Sequence, residues 1–323
     1  IKAGSKYYRS TDNFHYQTWK VNGRKTSSDL NLYKVSLERF TQLAKDNALF
    51  SILVPDNFAT DNGSTGLRHL VIDNYKLNEF LSFENRKGIF EAVDNRYKFA
   101  VLSFDGENKH SSNANTDFRA FFYRRDLGDL NNNELKMHYP FDFLFNMEPE
   151  RYAMVESRNK NIFDLFRKIR TTFKPLRDTN MIAFRRDFDR TNDSDKFISI
   201  QDATKEDVPL YEGKYINQFV IKPENIEYAI SKNTVEQKIK GDIDTYRIAL
   251  RAIASSTNKR SLIVTLLPPE SSSVHSLFSE KNADKVSLKE KLFMVGVLNS
   301  YVIDFVLRQL ISVNVSLVFV RQL

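Results

Sequence analysis

Phe50-Ser51-Ile52-Leu53-Val54-Pro55-Asp56-Asn57-Phe58 opens, and Tyr97-Lys98-Phe99-Ala100-Val101-Leu102-Ser103-Phe104 closes, the stretch whose reading decides the fold. It begins with a continuous apolar run stopped at Val54-Pro55-Asp56. A loop from Gly63 to Gly66 then leads into Leu67-Arg68-His69-Leu70, and two further apolar runs are separated by Glu84-Asn85-Arg86-Lys87-Gly88. The order is strand, loop, short helix, strand, loop, strand, which is the tail of a sheet with helices packed on it.

Upstream, Leu30, Tyr33, Leu37, Phe40 and Ala44 recur at three- and four-residue steps behind Ser28 or Asp29 as N-cap. This spacing predicts an amphipathic helix of about four turns. The apolar run 48–54 after it suits a strand covered on both faces, as in a parallel sheet, and helix followed by strand marks an α/β unit. Residues 1–27 hold Tyr7, Tyr8, Tyr16 and Trp19 without apolar period and read as an arm or loop. Downstream, Thr65 can cap a helix over 66–74, while 77–83 and 97–104 are strands flanking a polar loop with Arg86, Lys87, Asn95 and Arg96. Region 107–150 is low in pattern, Asn131-Asn132-Asn133 marks a turn, and the domain boundary is placed near 150.

The second half predicts helices over 161–170 and 246–254, strands over 181–184 and 261–267, and a polar turn over 255–260. Pro268-Pro269 ends the second of those strands. Leu288, Leu292, Val295, Val302 and Val306 mark a long helix, and Val313, Val315, Leu317 and Phe319 alternate as a final strand. Asn299, Asp304 and Arg308 break any apolar run near the ~20 residues that a bilayer needs. The mixed aromatic, charged and amide stretch 209–219, around Gly213, is of the kind that faces a partner.

At 323 residues the chain is long enough for two cores, and 41% hydrophobic with 13% aromatic content argues for folded domains rather than disorder. There is no cysteine, hence no disulfide framework, no thiolate nucleophile and no cysteine metal site; a reducing cytoplasm is the simplest home. Net charge is +7. Residues 151–190 hold eleven Lys or Arg against five Asp or Glu, interleaved with Phe163, Phe166, Phe173, Phe184 and Phe188, a pattern that suits a polyanion. A solvated basic face on an ordinary domain accounts for the charge equally well.

The five histidines, His15, His69, His110, His138 and His275, are scattered, and none has metal-ligand spacing. The ten glycines never form Gly-x-Gly, which removes the dinucleotide fingerprint and the P-loop. Glu212-Gly213-Lys214 has the carboxylate-plus-lysine form of a Mg-dependent nuclease, with Asp193 or Asp195 as upstream acid. In a chain with 28% charged residues a Glu-x-Lys also arises by chance, and no Pro-Asp precedes it at strand spacing.

Several stretches, taken in order, resemble one family. They are Asp29-Leu30-Asn31-Leu32-Tyr33, the opening Ile52 to Phe58 run, Gly66-Leu67-Arg68, Phe80-Leu81-Ser82-Phe83-Glu84-Asn85, Ile89-Phe90 and Arg96-Tyr97-Lys98-Phe99-Ala100. These look like the later motifs of adenine-N6 DNA methyltransferases, most closely those of bacterial type IIG restriction-modification enzymes. Tyr211-Glu212-Gly213-Lys214, Arg247-Ile248-Ala249, the 251–260 segment, Leu266-Leu267-Pro268-Pro269 and Leu298-Asn299-Ser300 resemble the region leading into and containing the target-recognition domain of those enzymes. The resemblance implies the C-terminal part of a Rossmann-like S-adenosylmethionine methyltransferase sheet followed by an α+β DNA target-recognition domain. The expected organisation is an arm over 1–27, the C-terminal half of the methyltransferase over 28–150 and the recognition region over 151–323.

The family binds S-adenosylmethionine at a Gly-rich turn and holds the flipped adenine with an Asn-Pro-Pro-Tyr type motif. Neither is present; Pro268-Pro269 lacks the asparagine and aromatic neighbours. The expectation is a chain that starts after these motifs, contains no catalytic residue and does not methylate alone, within a parent that recognises double-stranded DNA and methylates adenine N6 in restriction-modification or phage defence. By resemblance, Tyr97 or Phe99 lies against the flipped base, whose extrusion costs on the order of a few kcal/mol; an aromatic alternating into the core is the other reading. Arg185, Arg186, Lys214, Asn217 and Gln218 are types that pair with base edges. Lys174, Arg177 and Arg190 suit phosphates, and Asn258, Lys259 and Arg260 form a further basic turn. Lysines near Lys281 and Lys285 are expected outside the footprint. Two alternatives stay open: a non-catalytic DNA-binding or defence module, and the nuclease built on Glu212 and Lys214.

Overall fold

A computed structural model describes residues 6–10, 12–26, 29–106, 117–179, 181–254, 258–311 and 314–323. Ser28, His110, Val313 and positions 255–257 of the expected turn lie outside them. The fold is mixed α/β, in two compact units, Ile1–Thr171 and Thr172–Leu323.

In the first unit a short hairpin, β1 (Lys20–Val21) and β2 (Arg24–Lys25), precedes helix α1 (Leu32–Leu43). The N-cap of α1 is Asn31, whose side chain accepts the Tyr33 N–H at 3.3 Å, so the helix begins later than Asp29. Strand β3 (Leu49–Pro55), helix α2 (Thr65–Asn74), and strands β4 (Lys76–Glu84) and β5 (Lys98–Asp105) follow in the order read from the opening stretch. Gly66 in α2 is required by a close approach, because a Cβ there would stand 2.1 Å from the Tyr16 carbonyl oxygen. Trp19 of the arm stacks on His69 of the same helix at 4.5 Å. Strands β6 (Asp117–Arg124) and β7 (Met137–Pro140) and helix α3 (Phe141–Met147) come from the region without pattern. Helix α4 (Lys160–Thr172), expected beyond a boundary near 150, belongs to this unit: Phe163 and Phe166 are buried, with Phe163 4.9 Å from Tyr139 and Phe166 6.2 Å from Phe143.

The sheet order is β3-β5-β4-β6-β7. β4 and β6 are parallel and every other pair is antiparallel. The parallel, doubly covered β3 is thereby corrected. It is an edge strand that pairs, among the described residues, with β5 alone, and its side chains alternate: Phe50 and Val54 are buried while Leu49 and Leu53 are 75% and 53% exposed. Its apolar run signalled burial on both faces, but one face carries leucines in the open. The pairing also means that β3, β4 and β6 all end, and β5 begins, on the same side of the sheet.

The second unit contains strands β8 (Ala183–Arg185), β9 (Ile198–Ser199), β10 (Asp207–Tyr211), β11 (Ile216–Asn217), β12 (Val220–Ile221) and β13 (Tyr228–Ser231). Helix α5 (Lys232–Ile239) and strands β14 (Arg247–Arg251), β15 (Val264–Leu267), β16 (Ser272–Ser273) and β17 (Leu277–Lys281) come next, and helices α6 (Leu288–Leu298), α7 (Tyr301–Leu310) and α8 (Leu317–Val320) complete it. The sheets are β15-β14-β17-β8 and β16-β10-β13-β9, with β11-β12 as a hairpin. Three expectations change here. The helix over 246–254 is strand β14, whose residues Arg247 to Leu250 are all buried, so no strand alternation was visible. The long helix is two helices, α6 and α7, divided at Asn299-Ser300, where Ser300 caps α7 through the Ile303 N–H. The final strand is the single turn α8, capped by Ser316 on the Phe319 N–H. Asp187 and Arg247, both fully buried, pair at 2.8 Å in the interior, and Ser273 and Ser279 donate to the same carboxylate at 2.9 and 2.6 Å.

Candidate functional site

In an open α/β sheet, ligands bind outside the carboxyl ends of the strands. Here that side brings together Asp56 after β3, Ser82 and Glu84 at the end of β4, Tyr123 to Arg125 at the end of β6, Lys98 at the start of β5, and Glu156 with Arg158. The last two are delivered by an irregular segment fixed from below: the Met154 N–H donates to the Ala59 carbonyl at 2.9 Å and the Val155 N–H to the Tyr139 hydroxyl at 2.8 Å.

The β4–β6 register slips between Leu81 and Phe83, leaving an extra residue in β6. Tyr123 lies within that bulge with φ +58, a conformation that non-glycine residues seldom adopt and that re-aims a side chain. Its N–H donates to Ser82 Oγ at 3.1 Å, and Ser82 in turn donates to Asp56. The Tyr123 hydroxyl donates to Glu156 Oε2, while Glu156 Oε1 is buried without a hydrogen-bond partner. Burial, then the charge of Asp56, pushes the Glu156 carboxyl up to about 7. Burial also raises Asp56, against the hydrogen bond from Ser82 and the charge of Lys98. Above this acidic floor Lys98 Nζ lies 4.1 Å and the Arg158 guanidinium 4.8 Å from the centre of the Tyr123 ring. Burial acts to raise Glu84 as well, but hydrogen bonds from Arg158 and Arg125 hold it below its ordinary value.

The result is a rigid polar floor with an exposed rim. Tyr97 is 66% exposed, and Arg86, Lys87, Arg96 and Lys98 around it are exposed. Arg96 is paired with Asp94 and Lys87 with Asp126. Phe99 is half-buried, 5.4 Å from the Phe83 ring and 4.8 Å from Phe90. Cations and the presented Tyr97 ring suit an anionic ligand that carries planar rings.

The residues of the second unit fall into distinct settings. Arg185 is held by Asp187 at 3.2 Å and Asp242 at 2.7 Å. Arg186 lies 5.1 Å over Phe278. Arg190 pairs with Glu212 at 3.1 Å, and Lys214 with Glu227 at 2.7 Å. Asn217 is exposed, whereas Gln218 donates to the Asn299 side chain at 3.3 Å. Asn258 and Lys259 are exposed at their side chains, but their carbonyls accept from Arg308. Arg260 is turned onto the Asn299 and Ser300 carbonyls and stacks 4.4 Å over Tyr301. Lys174 is exposed, and Arg177 lies beside Asp178 at 3.6 Å. Among the described residues no group of three His, Asp or Glu is placed to hold a metal ion, and the Glu212 carboxylate is engaged by Arg190 and Lys214. No helix among them is long and apolar enough to cross a membrane.

Sequence reasoning missed Asp56, Ser82, Tyr123 and Glu156. Ser82, a lone hydroxyl inside an apolar strand, was a usable signal; Tyr123 and Glu156 lay where no periodicity flagged them.

Residues 7–90 match the family model of the Eco57I restriction-modification methylase, a span running from the arm through α1, β3, α2 and β4. No curated protein matches the chain. Among solved structures it is similar to the type IIG restriction endonuclease BpuSI at 10% identity and a TM-score of 0.37, covering 86% of this chain and 39% of that one. It is also similar to the type IIL restriction-modification enzyme MmeI, solved in complex with DNA, at 11% identity and a TM-score of 0.42, covering 84% and 38%. The chain spans well under half the length of either structure.

Proposed function

We propose that this chain is part of a restriction-modification DNA methyltransferase, with the first unit forming the later half of the methyltransferase domain and the second the target-recognition region. The parent enzyme would recognise a specific double-stranded sequence and transfer a methyl group from S-adenosylmethionine to adenine N6. The match of residues 7–90 to a restriction-modification methylase carries this reading. The exposed, cation-rimmed Tyr97 at the carboxyl side of the sheet supports it.

The groups present do not fit the cofactor. There is no Gly-x-Gly turn, and the carboxylates of Asp56 and Glu156 face inward onto Ser82 and Tyr123 rather than outward to a ribose. S-adenosylmethionine is therefore assigned to other parts of the parent. What this chain supplies is positioning: Tyr97 stacks on an extruded base, and Lys98 lies beside the phosphates that flank it. Phe99, already packed on Phe83 and Phe90, supports the loop from within.

One titration tests this. Fluorescent duplex DNA should bind with an affinity that falls steeply with salt, because neutralised phosphates release counterions. On a duplex with one mismatched pair, which costs less to open, Tyr97→Ala should bind several-fold more weakly than Tyr97→Phe. Salt-independent binding, or none, would sink the DNA reading; equal binding by the two variants would remove Tyr97 from the base.

A further inference from the structure

We infer that two clefts of the second unit join into one electropositive furrow that seats the sugar-phosphate backbone of DNA. The proposal rests on the DNA reading above and assigns it a surface that sequence reasoning excluded. The first cleft, of about 520 Å³, is rimmed by Arg177, Lys281, Lys285 and Arg321 over a floor that includes Phe184 and Leu317. The second, of about 490 Å³, is lined by Arg185, Lys238, Lys240 and Lys281 with Asp242 and Asp284. They meet at Lys281 and Asn282, at the end of β17.

Charge in a cleft counts only where it is not already matched. Of these cations, Arg185 is paired with Asp187 and Asp242, and Lys238 with Asp193. Lys240, Lys281, Lys285 and Arg321 are exposed, and none of their side chains enters an ion pair among the described residues. Of the three acids that line the clefts, Asp242 alone is matched by a cation. Asp242 accepts the N–H groups of Asn282 and Ala283 at 3.0 and 2.6 Å besides binding Arg185. Glu290 is turned onto Ser287 as the capping box of α6, with a 2.9 Å bond from the Ser287 N–H. Asp284 and Glu290, whose capping bonds leave its charge in place, remain against four unmatched cations.

The backbone holds this arrangement under strain. Lys240 has φ +53 and Asn282 has φ +58, and both line the second cleft. Non-glycine residues in this region persist where the surroundings over-determine them, and such positions gather at ligand sites. A run of unmatched cations along two joined clefts fits a polymer with regularly spaced negative charge better than a single small anion.

The test uses the whole chain, duplex DNA and anisotropy across a salt series. Lys281→Ala with Lys285→Ala should weaken binding at least about ten-fold, whereas the matched pair Lys205→Ala with Lys222→Ala changes it less than two-fold. Adding Lys240→Ala and Arg321→Ala should lower the slope of log affinity against log salt by about 3.6, for four lost phosphate contacts. All four residues are exposed, and circular dichroism checks the fold; if the quadruple variant does not fold, Lys281→Glu alone should reproduce the loss. Steep salt-dependent binding that the furrow variants leave unchanged would overturn the furrow and spare the DNA reading. Absence of DNA binding by the unaltered chain would end both. Polyglutamate bound as tightly as DNA at equal salt would make the furrow an acidic-peptide site and overturn the proposal.

Discussion

Glu156 is the residue at which burial, hydrogen bonding and titration meet. Its carboxyl is raised by burial to about 7, while in the unfolded chain it titrates near the usual 4.5. Below the unfolded value both states hold the proton, and no penalty arises. Between 4.5 and about 7 the unfolded state releases the proton first, so stability falls as pH rises, and above that window the cost is fully present. The full gap corresponds to on the order of 3 kcal/mol. Glu156→Gln keeps an acceptor for the Tyr123 hydroxyl and removes the charge. It should therefore be more stable than the unaltered chain at pH 8, by roughly 1–3 kcal/mol, with the difference vanishing near pH 4 in urea denaturation. A gap independent of pH would show that Glu156 is not the titrating group. Asp187 has the opposite sign: although burial alone would raise it, Arg247, Ser279 and Arg185 hold it below its ordinary value, so its contribution is lost as pH falls.

At the scale of elements, the break between α6 and α7 shows how one side chain can stand in for a strand. The Asn299 amide donates to the Val264 carbonyl at 2.8 Å and its oxygen accepts the Val264 N–H at 3.1 Å, so the helix junction closes the ladder of β15. Asn299→Ala leaves the Val264 N–H buried and unpaired, while the Val264 carbonyl keeps the Phe219 N–H at 3.1 Å, and should cost about 1–3 kcal/mol, read as a lower urea midpoint. A loss under about 1 kcal/mol would mean that water replaces the amide. This pairing was not legible in the sequence, because Asn299 and Val264 are 35 residues apart and the apolar spacing continues across the junction. α1, β3, α2, β4 and β5 were legible because each shows a period or a run with clear ends. β14 was not, since burial of Arg247 to Leu250 erases alternation, and the single turn α8 is too short to display helical period. The site divides in the same way. The exposed ring of Tyr97 lies in a stretch that the sequence marks, whereas the Tyr123–Glu156 contact joins two segments that carry no local pattern.

For the whole molecule, the lesson concerns charge. The basic surplus of residues 151–190 looked like a footprint, yet Arg151, Arg158, Arg185 and Arg190 are tied to Glu148, Glu84, Asp187 and Glu212. The unmatched cations of the furrow come from positions 240, 281, 285 and 321, too dispersed for a local count to collect. Strand β3 carries a different consequence. A long edge whose outer N–H and C=O groups have no strand partner among the described residues, with leucines at 49 and 53 in the open, is a template on which a second chain can add a strand. Concentrated samples of this chain should self-associate into β-rich aggregates, and Leu53→Lys, a gatekeeper charge on that edge, should suppress the rise in light scattering. If scattering is unchanged, aggregation starts elsewhere. If the lysine does suppress it, the edge strand β3 sets how concentrated a sample the chain tolerates.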